Sequence, residues 1–465
     1  MEKGKFSSTI AGASIILTLA TLASKGLGFF REVLFANYFG LGSEFDIYLV
    51  GAALPITLNT IIFFIAQNYL IPIYHKKKTE YSEHSANSFI AINVLIFFIV
   101  SLLFSLVLYG FSYQIVSGYL GGVSDNIINT ARDIFLLFLL TIPLQATFSV
   151  FANFLFAKYE YKHPALSNIL VNAIVIIVII FEHDHLGIYS IAAGFIGGNI
   201  LQLIYIYAFS RRHLTIKKIN FNDLNFKNIN SSFLMIILIE AMSQLFILTD
   251  RYFYAEVEQG GISAINYAST LYVLPISILA AGLSTALFPK FSAAFAEKDK
   301  NLLASYLTEG LLNNILMFVP ITVFIFFNCD LIVSVIFQRG KFTSINTLLT
   351  GDILKIFSLS LVFYSSYAII NKFLYATNLL NQLVKLSFLA LVIKIVLNFL
   401  LVEKFMQNGL AWSSTISYSS MGILGIYYSI KLIDKKIIFV VLRNLSLFLI
   451  LSLLCFWVTL EFFSL

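Results

Sequence analysis

The sequence predicts an all-α protein whose helices cross a lipid bilayer many times. Of its 465 residues, 59% are hydrophobic and only 12% are charged, whereas an ordinary soluble domain has about 25% charged residues. The mean hydropathy is +0.88, and apolar segments of about 20 residues, the length that spans a bilayer, follow one another along the chain. A chain this apolar cannot keep its surface in water, which excludes soluble enzymes, disordered tails and disulfide scaffolds.

The apolar segments predict twelve spans and a thirteenth after them. The first is longer than the apolar core of a signal peptide, and no cleavage site follows it, so we expect a retained helix. The chain has only 7 prolines, which favours long uninterrupted helices. In chain order, the predicted spans are residues 9–37, 45–74, 88–111, 128–157, 165–181, 187–209, 232–255, 262–288, 307–327, 348–376, 383–402, 409–430 and 437–462.

The basic residues predict the orientation of these helices. With the N-terminus in the cytoplasm, 21 Lys and Arg residues fall in cytoplasmic segments, and only Arg339, Lys341 and Lys404 fall in outer loops. Basic residues concentrate on the cytoplasmic side of membrane proteins. The net charge of +6 therefore reflects topology, and we expect no nucleic-acid partner.

Two tetrapeptides indicate an internal repeat. Residues 54–57 read LPIT and residues 274–277 read LPIS, at an offset of 220. Residues 154–157 read FLFA and residues 373–376 read FLYA, at an offset of 219. Six spans lie within this offset, so both halves keep the same orientation, as in transporters with parallel repeats.

The repeat predicts two six-helix lobes and about one additional C-terminal transmembrane helix. The predicted parts are an N-terminal lobe at 1–210, a cytoplasmic linker at 211–227, a C-terminal lobe at 228–431 and the additional helix at 432–465.

Charged side chains inside the predicted spans are candidates for a substrate site. Each costs at least about 2.5 kcal/mol at the bilayer centre, so it faces a cavity or a partner. Cations in an apolar shell favour an anionic amphipathic substrate, with phosphate as the typical anion. The opposing interpretation is that these charges only hold helices together. The charges are Lys25, Arg31, Glu32, Asp46, Glu240, Asp250, Arg251, Lys355 and Lys394.

Asn398 follows Lys394 by one helical turn, so the two side chains share a face. They either point into one cavity or pack between helices.

No motif for catalysis or nucleotide binding is present. The sequence contains no phosphate-binding G-x-x-x-x-G-K-[ST] loop, no H-E-x-x-H and no G-x-S-x-G. We therefore expect a transporter that is not an enzyme, and we assign no cofactor and no metal site.

The order of several short motifs resembles a known family. Residues 24–32 read SKGLGFFRE and precede Phe39-Gly40 and Asp46. Over residues 9–431, this pattern resembles the lipid II flippase MurJ (MviN) family. The motifs of the second half are Asp250-Arg251, Asn266-Tyr267-Ala268, Pro275, Leu287-Phe288-Pro289, residues 337–343 (FQRGKFT), Tyr375-Ala376 and Gly409-Leu410-Ala411.

The resemblance implies a fold and a substrate. The fold is that of the multidrug/oligosaccharidyl-lipid/polysaccharide exporter superfamily. The substrate is undecaprenyl-pyrophosphate carrying a glycan, moved across the bacterial cytoplasmic (inner) membrane by alternating access. We expect a monomer embedded in the lipid bilayer.

The resemblance also implies the substrate-binding residues. Family members hold the pyrophosphate with arginines in the first, second and eighth helices. Arg31 matches one of them, Lys25 replaces another, and Asn59 and Thr270 stand where further arginines are expected. Because Lys and Arg are not interchangeable at a bidentate site, a flippase for O-antigen, capsule or exopolysaccharide units stays open beside lipid II.

We predict that Lys25 and Arg31 contact the pyrophosphate and that Glu32 either orients Arg31 or balances its charge when the site is empty. In the second half, Asp250 is either the partner of Arg251 or a cation ligand. Asp46, Asn59 and Thr270 complete the candidate site, together with Arg251 from the second half.

Some family members bind sodium between the seventh, eleventh and twelfth helices. The resemblance assigns its carboxylate to Asp250 and another ligand to Asn398, one turn after Lys394. We therefore hypothesise that the Lys394 ammonium takes the place of the ion.

Other functions stay open at this point. A cation-coupled multidrug exporter of the same superfamily would carry an acidic or aromatic cavity. A membrane-embedded polymerase or ligase would need a large outer loop, and a non-transporting scaffold would use its charges only in packing.

Overall fold

The computed structural model describes residues 10–120, 122–214, 231–432 and 436–464, all helices joined by short turns. Residues 1–9, most of the predicted linker (215–227) and residues 433–435 lie outside the described residues. In chain order, the α-helices are α1 Ile10–Phe39, α2 Ser43–Glu80, α3 Glu83–Gly110, α4 Ser112–Tyr119, α5 Asp125–Leu139, α6 Thr141–Ala157, α7 Lys162–Leu186, α8 Tyr189–Ser210, α9 Ser231–Tyr252, α10 Gly261–Pro275, α11 Ala281–Ala296, α12 Lys300–Phe337, α13 Ser344–Ser358, α14 Leu361–Ala376, α15 Leu380–Leu432 and α16 Lys436–Ser464.

All the predicted spans coincide with helices. Among the described residues, nine helical segments are long and apolar enough to cross a membrane, and ten if the bent pair α13–α14 is one span. α15 covers two predicted spans, because the helix runs through a break at Met406. The first and last predicted spans correspond to α1 and α16. The chain is therefore a polytopic all-α membrane protein, as predicted.

The chain divides into two compact units. Unit 1 is Met1–Gln244 and unit 2 is Leu245–Leu465, so the boundary falls within α9. The predicted lobe limits at 210 and 228 stay a prediction.

Breaks in the helices recur at the offset of the repeat. α5 and α6 are separated at Leu140, and α13 and α14 at Leu359 and Ser360. The helix before each break, α5 (Asp125–Leu139) or α13 (Ser344–Ser358), has the same length in both halves. The two helices begin 219 residues apart. The repeat found in the sequence is therefore also a repeat of backbone structure.

Left-handed residues recur at nearly the same offset. The described chain contains nine residues with positive φ, and all but Lys298 form pairs 218 to 220 residues apart. The pairs are Gly40 and Gly260, Gly122 and Gly340, Tyr159 and Asn378, and Gly187 and Met406.

The two halves differ after the proline of the repeated tetrapeptide. Pro55 lies inside the continuous helix α2. Pro275 ends α10 and is followed by a π-helical turn, Ile276–Ala280, before α11 begins. Proline removes a backbone donor and crowds the preceding turn, and such π-bulges are one way in which a helix absorbs the disruption.

Small residues let α7 and α8 approach closely. A Cβ atom on Gly194 would lie 2.8 Å from Cα of Val175, and one on Gly198 would lie 3.0 Å from Cα of Val171. Glycine at such positions lets transmembrane helices pack backbone against backbone. This packing brings the polar side chains of α8 against those of α7.

The backbone dihedral angles of Met406 predict that glycine at this position stabilises the protein. Met406 has φ 49° and ψ −129°, and its repeat partner Gly187 has φ 53° and ψ −132°. These angles suit glycine and strain any other residue. We expect Met406→Gly to raise the melting temperature of the detergent-purified protein, with a gain of about 1 kcal/mol.

Gly187→Ala provides the matched control. An added Cβ there meets no atom within 4 Å, so only backbone strain can lower its melting temperature. An unchanged or lower melting temperature for Met406→Gly would contradict the strain.

Candidate functional site

Arg31 lies in α1 among partners on three sides. Its Nη2 atom donates to Oε1 of Glu32 at 2.7 Å, and its Nη1 atom donates to Oδ1 of Asn172 at 2.9 Å. The guanidinium lies 5.4 Å from the ring centre of Phe35 and 5.1 Å from that of Phe195. Nε of Arg31 is buried and has no hydrogen-bond partner among the described residues. The arginine is thus held in place while its buried Nε donor stays unused.

Lys25 precedes Arg31 on the same helix and is exposed. Between them, Gly28 faces the Asn172 amide, which would lie 3.8 Å from an added Cβ. Three residues of the first helix were predicted to belong to the site. Two of them, Arg31 and Glu32, form an ion pair, and Lys25 lies exposed on the same helix.

Asp46 and Asn59 lie in α2. Asp46 is 1% exposed in the first helical turn, where the helix dipole favours a carboxylate. Nδ2 of Asn59 donates to Oγ1 of Thr141 at 2.8 Å. Oδ1 of Asn59 is buried without a partner in the described chain, so this side chain keeps an unused acceptor.

A network of amides in unit 1 was missed by the sequence analysis. We call it the amide strip, and it consists of Gln145, Asn168, Asn172, Asn199 and Gln202. Nε2 of Gln145 donates at 2.8 Å to Oδ1 of Asn199 and to Oε1 of Gln202, and Nε2 of Gln202 donates to Oδ1 of Asn168 at 2.9 Å. Nδ2 of Asn172 donates at 3.3 Å to the carbonyl of Asn168.

A signal for this strip was present in the sequence. Asn168 and Asn172 are four residues apart, and Asn199 and Gln202 are three apart, which places each pair on one helix face. Amides carry no charge, so they do not stand out in an apolar span as Lys, Arg, Asp and Glu do.

Unit 2 contains a buried ion pair that joins α9 and α15. The Nζ atom of Lys394 lies 2.7 Å from Oδ1 of Asp250. Lys394 is 0% exposed and Asp250 is 8% exposed. Two charges removed from solvent in this way depend on each other and on further hydrogen bonds.

The pair has those further partners. Nζ of Lys394 donates to Oγ of Ser414 at 2.5 Å and lies 4.6 Å from the ring centre of Phe246. Nδ2 of Asn398 donates to Oδ1 of Asp250 at 3.2 Å, and the hydroxyl of Ser413 donates to Oδ1 of Asn398. Lys394 and Asn398 therefore pack polar-to-polar between helices, which resolves the alternative that the sequence left open.

Arg251 and Thr270 bind the protein itself. Nη1 of Arg251 donates to the carbonyl of Ile262 at 3.3 Å, and its Nη2 donates to Oδ1 of Asn266 at 3.4 Å. Oγ1 of Thr270 donates to the carbonyl of Asn266 at 2.9 Å. The contacts of Arg251 tie α9 to the first half of α10, whereas the Thr270 bond lies within α10.

A sodium ion does not fit beside Asp250. The ammonium of Lys394 already lies at hydrogen-bond distance from the Asp250 carboxylate, and it carries the one positive charge that this carboxylate balances. The neighbouring oxygens of Ser414 and Asn398 are engaged by Lys394 and Ser413.

The described helices are long and apolar enough to cross a membrane many times, so the chain belongs to the class of polytopic membrane proteins. A MATE family multidrug transporter of the MOP superfamily, solved in an inward-facing conformation, has a similar fold, with a TM-score of 0.71 and 12% identity. The alignment covers 90% of this chain and 98% of that one.

Within this class, the chain belongs to the lipid II flippase MurJ family, which matches residues 35–465. A solved lipid II flippase MurJ in an inward closed conformation has a TM-score of 0.82 and 25% identity, covering 96% of this chain and 93% of that chain. The probable lipid II flippase MurJ of Buchnera aphidicola subsp. Schizaphis graminum is 28% identical over 449 residues, covering 91% of this chain and 83% of the relative. The lipid II flippase MurJ of Thermosipho africanus is 26% identical over 433 residues, covering 92% and 87%.

Membership of this family confirms several predictions from the sequence. The family itself, the all-α membrane fold, and a lipid flippase that is not an enzyme are all as predicted. A lipid-linked substrate in the membrane follows from the same membership. The roles of individual side chains stay predictions.

The buried ion pair predicts a pattern of stabilities. Lys394→Met leaves the Asp250 carboxylate buried without its cation, which costs about 3 to 5 kcal/mol. We expect a clear fall in the melting temperature of the purified variant, and recovery of most of the loss in the double variant with Asp250→Asn.

Lys372→Met is the control, and we expect it to change the melting temperature little. The Lys372 ammonium contacts the Phe288 ring, 5.7 Å from the ring centre, and not a buried carboxylate. A double variant no more stable than Lys394→Met would show that the two charges do not depend on each other.

Proposed function

We propose that this protein moves an undecaprenyl-pyrophosphate-linked glycan, lipid II foremost, from the inner to the outer leaflet of the bacterial cytoplasmic membrane. It works by alternating access, as a monomer with its N-terminus in the cytoplasm. Membership of the lipid II flippase MurJ family and the placement of Arg31 support this function. The placement of Arg31 is the observation that carries the proposal.

The surroundings of Arg31 suit an anion that comes and goes. Asn172 and two phenylalanine rings fix the guanidinium plane, and Glu32 balances its charge at 2.7 Å. A diphosphate offers several oxygens to a guanidinium and forms strong charge-assisted hydrogen bonds. It therefore replaces Glu32 when bound, and Glu32 restores a neutral site when the lipid leaves.

Lys25 supplies a second cation on the same helix. Because an ammonium is a mobile point charge, Lys25 attracts the diphosphate while Arg31 orients it. Asn59 stands where the family resemblance implies an arginine, and its unused acceptor suits a hydroxyl group better than a phosphate.

Complementation tests this function. The chain is expressed in a bacterium depleted of its essential lipid II flippase, and we expect it to restore growth. Arg31→Ala removes charged hydrogen bonds of about 1.5 to 3 kcal/mol, so we expect a loss of at least about tenfold in flipping and no rescue.

Arg212→Ala is the matched control. Arg212 also lies over a phenylalanine ring, Phe209, at 4.8 Å, but it follows the end of α8. Rescue by Arg31→Ala equal to wild type would contradict the role of Arg31. Failure of the wild-type chain, once present in the membrane, would favour a flippase for O-antigen or capsule units.

We propose further that transport does not depend on sodium. The ammonium of Lys394, which is covalently part of the chain, serves as the permanent cation beside Asp250 in place of a sodium ion. The ion pair of 2.7 Å with Asp250 and the full burial of Lys394 support this role. A small cation would have to displace a tethered, fully buried ammonium from the Asp250 carboxylate.

Lys394→Ala provides the test. In this variant, the oxygens of Asp250, Asn398 and Ser414 surround a space of the size of the lost ammonium, and we expect sodium chloride to raise its melting temperature. Choline chloride is the control salt, and wild type should respond equally to both. Flipping by the wild-type chain that rises steeply with sodium would contradict the proposal.

A further inference from the structure

Apart from Asn172, which holds the Arg31 guanidinium, the amide strip has no role in the function proposed so far. It runs from Arg31 through Asn172 and Asn168 to Gln202 and Gln145. We propose that it binds the sugar part of the substrate beside the diphosphate held by Arg31. This inference rests on the proposed function and specifies the chemistry of substrate recognition.

The strip is linked through α6 to Asn59, a predicted substrate residue in α2. Thr141 accepts from Asn59 at 2.8 Å and precedes Gln145 by one helical turn on the same face of α6. Asn59 is therefore linked to the strip through one face of α6. A series of several polar side chains suits a head group with many polar atoms better than a single ion.

Several atoms of the strip have unused hydrogen-bonding capacity. Nδ2 of Asn168, Nδ2 of Asn199 and Oε1 of Gln145 have no hydrogen-bond partner in the described part of the chain. None of them is among the fully buried unpaired atoms, and Asn168 is an exposed residue. The strip thus presents two donors and one acceptor to whatever lies against it.

Packing alone does not require these amides. Hydrogen bonds between transmembrane helices add only modest stability, and small apolar residues pack such helices equally closely. Glycines already bring α7 and α8 together. Holding the helices together therefore does not by itself account for five amides on three adjacent helices.

The chemistry of the strip fits a carbohydrate. A side-chain amide both donates and accepts, which matches sugar hydroxyls and acetamido groups, since these also do both. An organic cation would call for carboxylates, and the strip contains none. Arg31, which is hydrogen-bonded to Asn172, lies at one end of the strip, where the diphosphate would join the sugar.

Binding measurements on the purified protein in lipid nanodiscs test the inference. The probes are undecaprenyl diphosphate and undecaprenyl diphosphate carrying an N-acetylated disaccharide. We expect wild type to bind the glycosylated lipid more tightly. Asn168→Ala and Gln145→Leu should reduce that affinity about tenfold and leave the affinity for undecaprenyl diphosphate unchanged, so the ratio of the two affinities falls toward one.

Two controls separate the possible outcomes. Arg31→Ala should weaken both lipids equally, because both carry the diphosphate. Asn93→Ala should change neither, since Asn93 is buried and donates only to the Phe89 carbonyl of its own helix. Asn168 is exposed, so its variant is expected to fold even if Gln145→Leu does not.

An unchanged affinity ratio in Asn168→Ala would overturn the sugar site and leave the proposed function intact. Equal loss of both lipids in the strip variants would also overturn it, because that pattern indicates a structural role. A wild-type protein that binds neither lipid would overturn the proposed function and this inference together.

Discussion

The hydrocarbon core of a bilayer contains no water, so each polar group in it must find a partner within the protein. This constraint explains why Lys394 and Asp250 meet although they lie 144 residues apart in the chain. It also explains why Arg31 rests on Glu32, Asn172 and two aromatic rings. The described helices carry their polar groups in such clusters and turn apolar side chains outward. A charged side chain within these helices therefore depends on nearby side chains that pair with it or form hydrogen bonds with it.

Two polar clusters meet this constraint in different ways. In unit 2, Asp250 is neutralised by a fully buried lysine, and Asn398, Ser413 and Ser414 complete the contacts of the pair. In unit 1, Nε of Arg31 and Oδ1 of Asn59 are buried without a partner in the described chain. Among the described residues, buried polar atoms without a partner occur in both units, so the difference lies between these two clusters and not between the units.

Much of this fold could be predicted from the sequence, because hydropathy is a local property and a span of 20 residues leaves a clear record of it. The repeat was visible because two tetrapeptides kept their offset. The break at Met406 and the π turn after Pro275 could not be predicted, since both depend on the packing of neighbouring helices. Arg31, Asp250 and Lys394 stood out as charges, but their partners are tertiary contacts that residue spacing does not reveal. The amide strip was missed because its members are uncharged and ordinary in number.

Gly187 and Met406 have nothing in common as side chains, yet their backbone angles agree to within a few degrees. The turn must therefore be imposed by the helices on either side of it, since methionine gains nothing from adopting it. At this position, the repeat is therefore visible in the backbone dihedral angles and not in the residue types. Left-handed turns can thus align two halves of a duplicated membrane protein at positions where their residues differ.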